Sequence, residues 1–171
     1  MKSIKKNYTY VLKSIKKDRS LIPLSECLKD KTFIVSGASR GIGFNIAKKL
    51  AFHNANVTIV GKTLTKHPKL DGTIYSAADN INSLSQKNNC LPIPCDIRNE
   101  YEIDNVITTT LNKFGSIDGV ILNASALCLN NTLKQTTKEI NLMSSVNING
   151  KYLFGQKCLK VMKQGHMLII A

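Results

Sequence analysis

Apolar residues along this chain fall into two alternating patterns. Short β-branched runs such as Thr32-Phe33-Ile34-Val35 are followed by stretches in which apolar positions recur every three or four residues. A short continuous run reads as a strand buried on both faces, and the three-and-four spacing reads as one side of a helix. On this pattern strands are predicted at 32–36, 57–61, 91–95, 118–123 and 167–171, with helices at about 41–53, 73–88, 99–114 and 137–162. In the first helix Ile42, Ile46 and Leu50 would form the buried stripe. In the third the stripe is Ile103, Val106, Ile107, Thr110 and Phe114, opened by a capping box of Asn99 and Glu102. In the last, Ile140, Met143, Asn147, Gly150, Phe154, Cys158 and Val161 share a face. Such alternation predicts an α/β fold, a doubly wound parallel sheet of about five strands with right-handed crossovers and helices on both faces.

Residues 1–29 stand apart from this pattern. Lys2, Lys5, Lys6, Lys13, Lys16, Lys17 and Arg19 face only Asp18 before Glu26, and Tyr8, Val11, Leu12 and Ile15 would line one side of a basic helix ended by Pro23. Acid-poor, basic and amphipathic is how an organelle-targeting segment reads, and a solvated tail is the other reading. Residues 30–171 then form one domain, since a chain of 171 residues and 18.9 kDa suffices for a single compact core.

Composition removes several function classes. The formal net charge of +13 invites a nucleic-acid reading, but the lysines are spread over the whole chain without a recognition-helix, RNA-sheet or zinc-finger pattern, so no nucleic-acid partner is expected. The five cysteines, Cys27, Cys90, Cys95, Cys128 and Cys158, are odd in number and form no Cys-x-x-Cys pair, which points to a reducing compartment. His53, His67 and His166 have no metal-ligand spacing, and no metal is expected. There is no run of eighteen apolar residues to span a membrane and no apolar core of a secretory signal near the start.

The chemistry gathers at predicted strand ends, where an open α/β sheet binds its ligand. Between the first strand and the first helix lies Ser36-Gly37-Ala38-Ser39-Arg40-Gly41-Ile42-Gly43, with the spacing Gly-x-x-x-Gly-x-Gly. Glycines there let the backbone approach a phosphate, which meets the unpaired N–H groups and positive dipole end of the helix. A turn that binds nothing is the plainer alternative, although three glycines and two hydroxyl residues at one junction exceed what a turn needs. After the second strand comes Lys62, and no acid occurs between Asp30 and Asp71, where an NAD-binding domain usually places a carboxylate on the ribose 2′-hydroxyl. Arg40 and Lys62 therefore point to NADP(H), the alternative being two solvated surface charges. Asp96, after the third strand, would accept from an adenine amino group or simply cap a helix. The small residues of Asn123-Ala124-Ser125 would let a cofactor pass close to the backbone. Asn147 sits within an apolar stripe, where an unpartnered amide costs about 1–3 kcal/mol; it has a polar task or is satisfied by neighbouring backbone.

Together these residues resemble the short-chain dehydrogenase/reductase family, whose fold is of the Rossmann type. The likeness rests on Gly37-x-x-x-Gly41-x-Gly43, Asp96, Leu122-Asn123-Ala124-Ser125 and Val146-Asn147-x-x-Gly150, and it runs from about residue 31 to the end. A closer likeness to one branch of the family is carried by Lys62-Thr63, His67-Pro68-Lys69-Leu70, Gly72-Thr73-Ile74-Tyr75 and Lys113-Phe114-Gly115-x-Ile117-Asp118. Leu122 stands where the family has its first motif Asn, and Ser125 where it usually has Gly. The resemblance implies hydride transfer between NADP(H) and a small-molecule hydroxyl or carbonyl compound, plausibly lipid-like, in mitochondria or peroxisomes, with the cytoplasm as the fallback. It also implies Gly37, Ser39, Arg40, Gly41, Ile42 and Gly43 at the pyrophosphate and ribose, Lys62 at a 2′-phosphate, Asp96 at the adenine, Asn123 beside the cofactor and Asn147 as a catalytic-relay residue. The family's proton-donating Tyr is followed four residues later by a Lys, and none of Tyr8, Tyr10, Tyr75, Tyr101 or Tyr152 is. The expectation is therefore a sheet incomplete at its C-terminal side, a chain inactive alone, and an oligomeric state left open. The alternative function is a truncated, non-catalytic nucleotide-binding or interaction protein.

Overall fold

The strands and helices form where the apolar pattern places them, with ends shifted by up to three residues. A computed structural model of the protein describes residues 27–65, 72–85 and 87–170. The basic segment predicted to be helical before Pro23, the loop residues His67 to Leu70, and Ala171 lie outside the described residues. The strands are β1 (Thr32–Ser36), β2 (Asn56–Gly61), β3 (Cys90–Pro94), β4 (Gly119–Leu122) and β5 (His166–Ile169). They make one sheet in the order β3-β2-β1-β4-β5, every pair parallel. The helices are α1 (Gly41–Phe52), α2 (Ile74–Ser85), α3 (Glu100–Phe114), α4 (Thr137–Ser144) and α5 (Lys151–Leu159). The predicted doubly wound α/β architecture is what forms.

Alternate residues of each strand feed two cores. Ile34, Val60, Val120 and Leu122 face Ile103, Val106, Ile107 of α3 and Phe154, Cys158 of α5, all buried. Val35, Val57, Ile59 and Ile121 face Ala47 and Ala51 of α1 and Ala77, Ala78, Ile81 of α2. One polar contact crosses the first core, Thr58 of β2 to Thr110 of α3, with hydroxyl oxygens 2.9 Å apart. At the amino ends of the strands Asp118 accepts from the Thr32 N–H, the Lys31 ammonium and the Ser116 hydroxyl, each at 3.0 Å, and so ties β1 to β4.

Three expectations are corrected. The apolar stripe of α1 is not its buried face: Ile42 is 64% exposed, Ile46 and Leu50 are half-buried, and Gly43, Ala47 and Ala51 press on the sheet. A helix that must bring Gly43 against the glycine turn lies too close to the strands for large side chains. The helix predicted over 137–162 is interrupted by a π-helical turn at Ser145–Gly150, and Ile140 and Val161 at its ends are exposed. In α3, Ile103, Val106, Ile107 and Thr110 are buried as predicted, while Phe114 is only half-buried.

Candidate functional site

The strand order reverses between β1 and β4, and at such a point the loops leaving the carboxyl ends of the strands part to either side and open a crevice. A cleft of about 470 Å³ lies there, lined among others by Gly37, Ser39, Arg40, Lys62, Asp96 and Asn123. Gly41, Ile42 and Gly43 form the first turn of α1 and do not line it, nor does Asn147.

The glycine turn is locked from two sides. Gly37 adopts φ +68°, and a Cβ there would lie 2.7 Å from the Ala124 Cα. A Cβ on Gly43 would lie 2.5 Å from both Asn123 Nδ2 and the Gly37 oxygen, so no other residue fits without moving backbone. The Gly37 N–H donates to the Val60 carbonyl of β2 at 2.7 Å. On the other side Asn123 Nδ2 donates to the Ser36 and Gly37 carbonyls, each at 3.1 Å. The Ser36 hydroxyl accepts from the Asn123 and Ala124 N–H groups, also at 3.1 Å. Asn123 is thus a strut between β4 and the turn. Arg40 caps α1 with extended backbone and no side-chain capping bond, and the first turn holds no acid. The N–H groups of that turn and the dipole's positive end are left for a ligand anion.

Cations gather at the β2 edge of the cleft. Arg40 Nη2 donates to Thr63 Oγ1 at 3.0 Å, whereas Arg40 Nη1 is buried without a hydrogen-bond partner. Lys62 Nζ stands 3.8 Å from Asp96 Oδ2. Asp96 is gripped from outside the cleft by Arg98, whose Nε donates to Oδ1 at 2.9 Å and whose Nη2 donates to Oδ2 at 2.5 Å. The guanidinium holds the Asp96 carboxyl down to about 2, despite a partial burial that works the other way. The Asp96 N–H donates to Glu102 Oε2 at 2.7 Å. The predicted capping box is therefore half realised: Asn99 caps the Tyr101 and Glu102 N–H groups, but the Glu102 carboxylate reaches the Asp96 N–H and the Asn99 side chain. Beside Asp96 the Cys95 thiol is pushed up to about 12, first by burial and then by the Glu102 and Asp96 charges, and stays protonated.

On the β4 side, Asn147 lies on the π-helical turn. Its Oδ1 accepts from the Ala126 N–H at 2.9 Å and the Ser125 hydroxyl at 3.1 Å, and its Nδ2 donates to the Ala126 carbonyl at 2.9 Å. The half-buried amide is thus satisfied by the Ser125-Ala126 loop, through two backbone groups and one hydroxyl. Leu122, in the position of the family's first motif Asn, is packed in the core with Phe154. Three residues of the neighbourhood were given no site role from sequence. Thr63 follows Lys62 and receives Arg40, Arg98 lies two positions after Asp96, and Lys151, one helical turn past Asn147, is buried and donates to the Ile170 carbonyl at 2.5 Å. Burial lowers the Lys151 pKa.

Comparison with known proteins places this arrangement in context. Residues 31–171 match the short chain dehydrogenase family. Hydroxysteroid dehydrogenase-like protein 2 of Mus musculus is 44% identical over 151 residues, covering 86% of this chain and 30% of the relative. The Homo sapiens protein of that name is 43% identical over 154 residues, covering 88% and 36%. The chain spans about a third of the length of these curated relatives. Among solved structures, a short chain dehydrogenase of Mycobacterium thermoresistibile superimposes with a TM-score of 0.79 at 39% identity, covering 84% of this chain and 52% of that one. A short chain dehydrogenase of Burkholderia cenocepacia J2315 in complex with NADP shares the fold, with a TM-score of 0.72 at 23% identity, covering 83% and 55%.

Proposed function

The chain belongs to the short chain dehydrogenase family, and from that membership we propose that its cleft binds NADP(H) for hydride transfer to or from a hydroxyl or carbonyl compound. The observation that carries the choice of cofactor is the buried, unpartnered Nη1 of Arg40 beside Lys62 at the end of β2. A buried guanidinium nitrogen without a partner is costly, and a 2′-phosphate is the ligand group that would satisfy it. The absence of any acid between Asp30 and Asp71 supports the same reading.

The bound nicotinamide supplies the hydride or accepts it. The chain's own residues bind and orient. The N–H groups of Gly41, Ile42 and Gly43 would meet the pyrophosphate, with Gly37 and Ser39 letting it approach the turn. Arg40 and Lys62 would hold the 2′-phosphate, and Asp96 would accept from the adenine amino group. Asn123 keeps the glycine turn in register with β4. Asn147 we assign as a positioning residue: it holds the Ser125-Ala126 loop beside the cleft. No Tyr with a Lys four residues later occurs in these 171 residues. General acid catalysis contributes roughly 10²–10⁴-fold, so the chain as given should bind cofactor without turning over carbonyl compounds. Membership in an oxidoreductase family favours hydride transfer, which would need the family's Ser and Tyr-x-x-x-Lys besides these residues, over a truncated non-catalytic binding protein. A lipid-like substrate and a mitochondrial or peroxisomal site, with residues 1–29 as the targeting segment, belong to the same proposal.

Calorimetric titration tests it. NADPH should bind more tightly than NADH, and Lys62→Asp, which replaces an attraction with a repulsion, should narrow or reverse the gap. Equal affinities in the unsubstituted protein overturn the assignment.

A further inference from the structure

The cationic edge of the cleft contains one charge of the wrong sign. Asp96 Oδ2 lies 3.8 Å from Lys62 Nζ, the ammonium assigned to the 2′-phosphate. A free carboxylate at that place would both draw Lys62 to itself and repel a phosphate on the same side of the cleft. In the observed arrangement Lys62 still stands within ion-pair reach of Asp96, but Arg98 takes the nearer place on the carboxylate and weakens its pull. Its Nε and Nη2 take the two oxygens in a side-on fork, and its backbone N–H adds a third bond to Oδ1 at 3.1 Å. A fork of this kind fixes the plane of the carboxylate as well as offsetting its charge. Arg98 does not line the cleft, and its side chain is 40% exposed, so it acts from behind Asp96. The backbone of Asp96 is held separately, its N–H by Glu102 at 2.7 Å and its carbonyl by the Asn99 N–H at 2.9 Å. The Arg98 side chain is therefore not what keeps Asp96 in place. Its distinct contribution is to the charge and orientation of the carboxylate.

We propose that Arg98 is a specificity-determining residue that does not touch the cofactor: by occupying Asp96 it keeps the Lys62 ammonium available to the 2′-phosphate and screens that phosphate from the carboxylate. The inference rests on the NADP(H) reading above. It adds that the preference for the phosphorylated cofactor depends on a side chain outside the cleft, through the sign of the charge at Asp96.

A double-mutant cycle on the whole 171-residue chain decides it, with NADPH and NADH titrated separately by calorimetry. Arg98→Gln should weaken NADPH binding by about two- to fivefold, the range an exposed charge pair supports, and weaken NADH binding less, since only the adenine contact of Asp96 is common to both. In an Asp96→Asn background, where there is no carboxylate to neutralise, the same Arg98→Gln change should alter neither affinity. Added salt should shrink the effect in the first background. A loss that falls equally on NADPH and NADH, or that persists in the Asp96→Asn background, shows Arg98 to be merely structural and overturns the inference. An NADPH preference that survives Arg98→Gln in full overturns this inference alone. No preference in the unsubstituted protein overturns the cofactor reading and this inference with it.

Discussion

The two faces of the sheet are built from different materials. Against the sheet α1 and α2 set mostly small residues, Ala47, Ala51, Ala77 and Ala78 with Ile81, whereas α3 and α5 set Ile103, Val106, Ile107 and Phe154. Small side chains let a helix approach the strands closely, and large ones hold it away while burying more apolar area per residue. The small-residue face is the one whose helix begins at the glycine turn, where Gly43 must come within contact of Asn123 and the Gly37 carbonyl. One face thus gives up burial to place a helix N-terminus at the cleft, and the other supplies the bulk of the core.

Four experiments break or sharpen that contrast. The largest effect belongs to the bulky face: Phe154→Ala should cost about 3–5 kcal/mol in urea denaturation, from lost transfer energy and the cavity left behind. The NADPH to NADH preference should not move, since Phe154 does not line the cleft. On the other face Ala47→Leu should cost about 1–3 kcal/mol by overpacking. Unlike Phe154→Ala it should also weaken NADPH, because lifting α1 moves the N–H groups of its first turn. An unchanged affinity with lowered stability would show that the approach of α1 is not what places them.

Thr110→Val leaves the buried Thr58 hydroxyl without its partner and should cost about 1–2 kcal/mol, most of it recovered in the Thr58→Val, Thr110→Val double variant. That pair tests whether the bulky face tolerates a fully apolar core. The smallest effect is at neither face but at the rim. The Asp96 carboxyl lies at about 2 when folded, below its unfolded value of about 3.9, so its contribution is complete above pH ~4 and lost as pH falls toward 2. Asp96→Asn should flatten that part of an acid titration of stability and lower the curve above pH ~5 by a constant amount without changing its shape there.

Much of this was legible in the residues, and the misreadings share a cause. Strand positions and the α3 stripe followed from apolar spacing, because there burial alone selects the residue. The α1 stripe did not follow. Ile42 and Leu50 advertise a buried face, but the close approach required by Gly43 turns the alanines inward, and spacing carries no information about distance between layers. The helix over 137–162 reads as continuous because a π-helical turn adds a residue without any Gly or Pro to mark it at the point where it begins. At the cleft, Gly37, Ser39, Arg40, Lys62, Asp96 and Asn123 were found by their places after strands, and the structure brings them together. Arg98 was passed over because it lies in the turn past Asp96 and not directly after a strand. Its clue was an Arg two positions after an Asp, a spacing at which side chain and backbone can both reach the carboxylate.

The strand order also sets a timetable for the nascent chain. β1 lies at the centre of the sheet, and on one side it pairs at once with β2, Phe33 against Val57. Its other neighbour is β4, with Phe33 against Gly119, and the Asp118 clamp on Thr32 closes a gap of 86 residues. At about 5–20 residues per second, a ribosome needs roughly 3–12 s to pass from the end of β2 to the start of β4. Throughout that interval this central strand has one open edge, and until Glu100–Phe114 has been made it has no covering helix on the α3 side. A chaperone that binds extended apolar segments would find its target there, and its release would coincide with the arrival of Gly119.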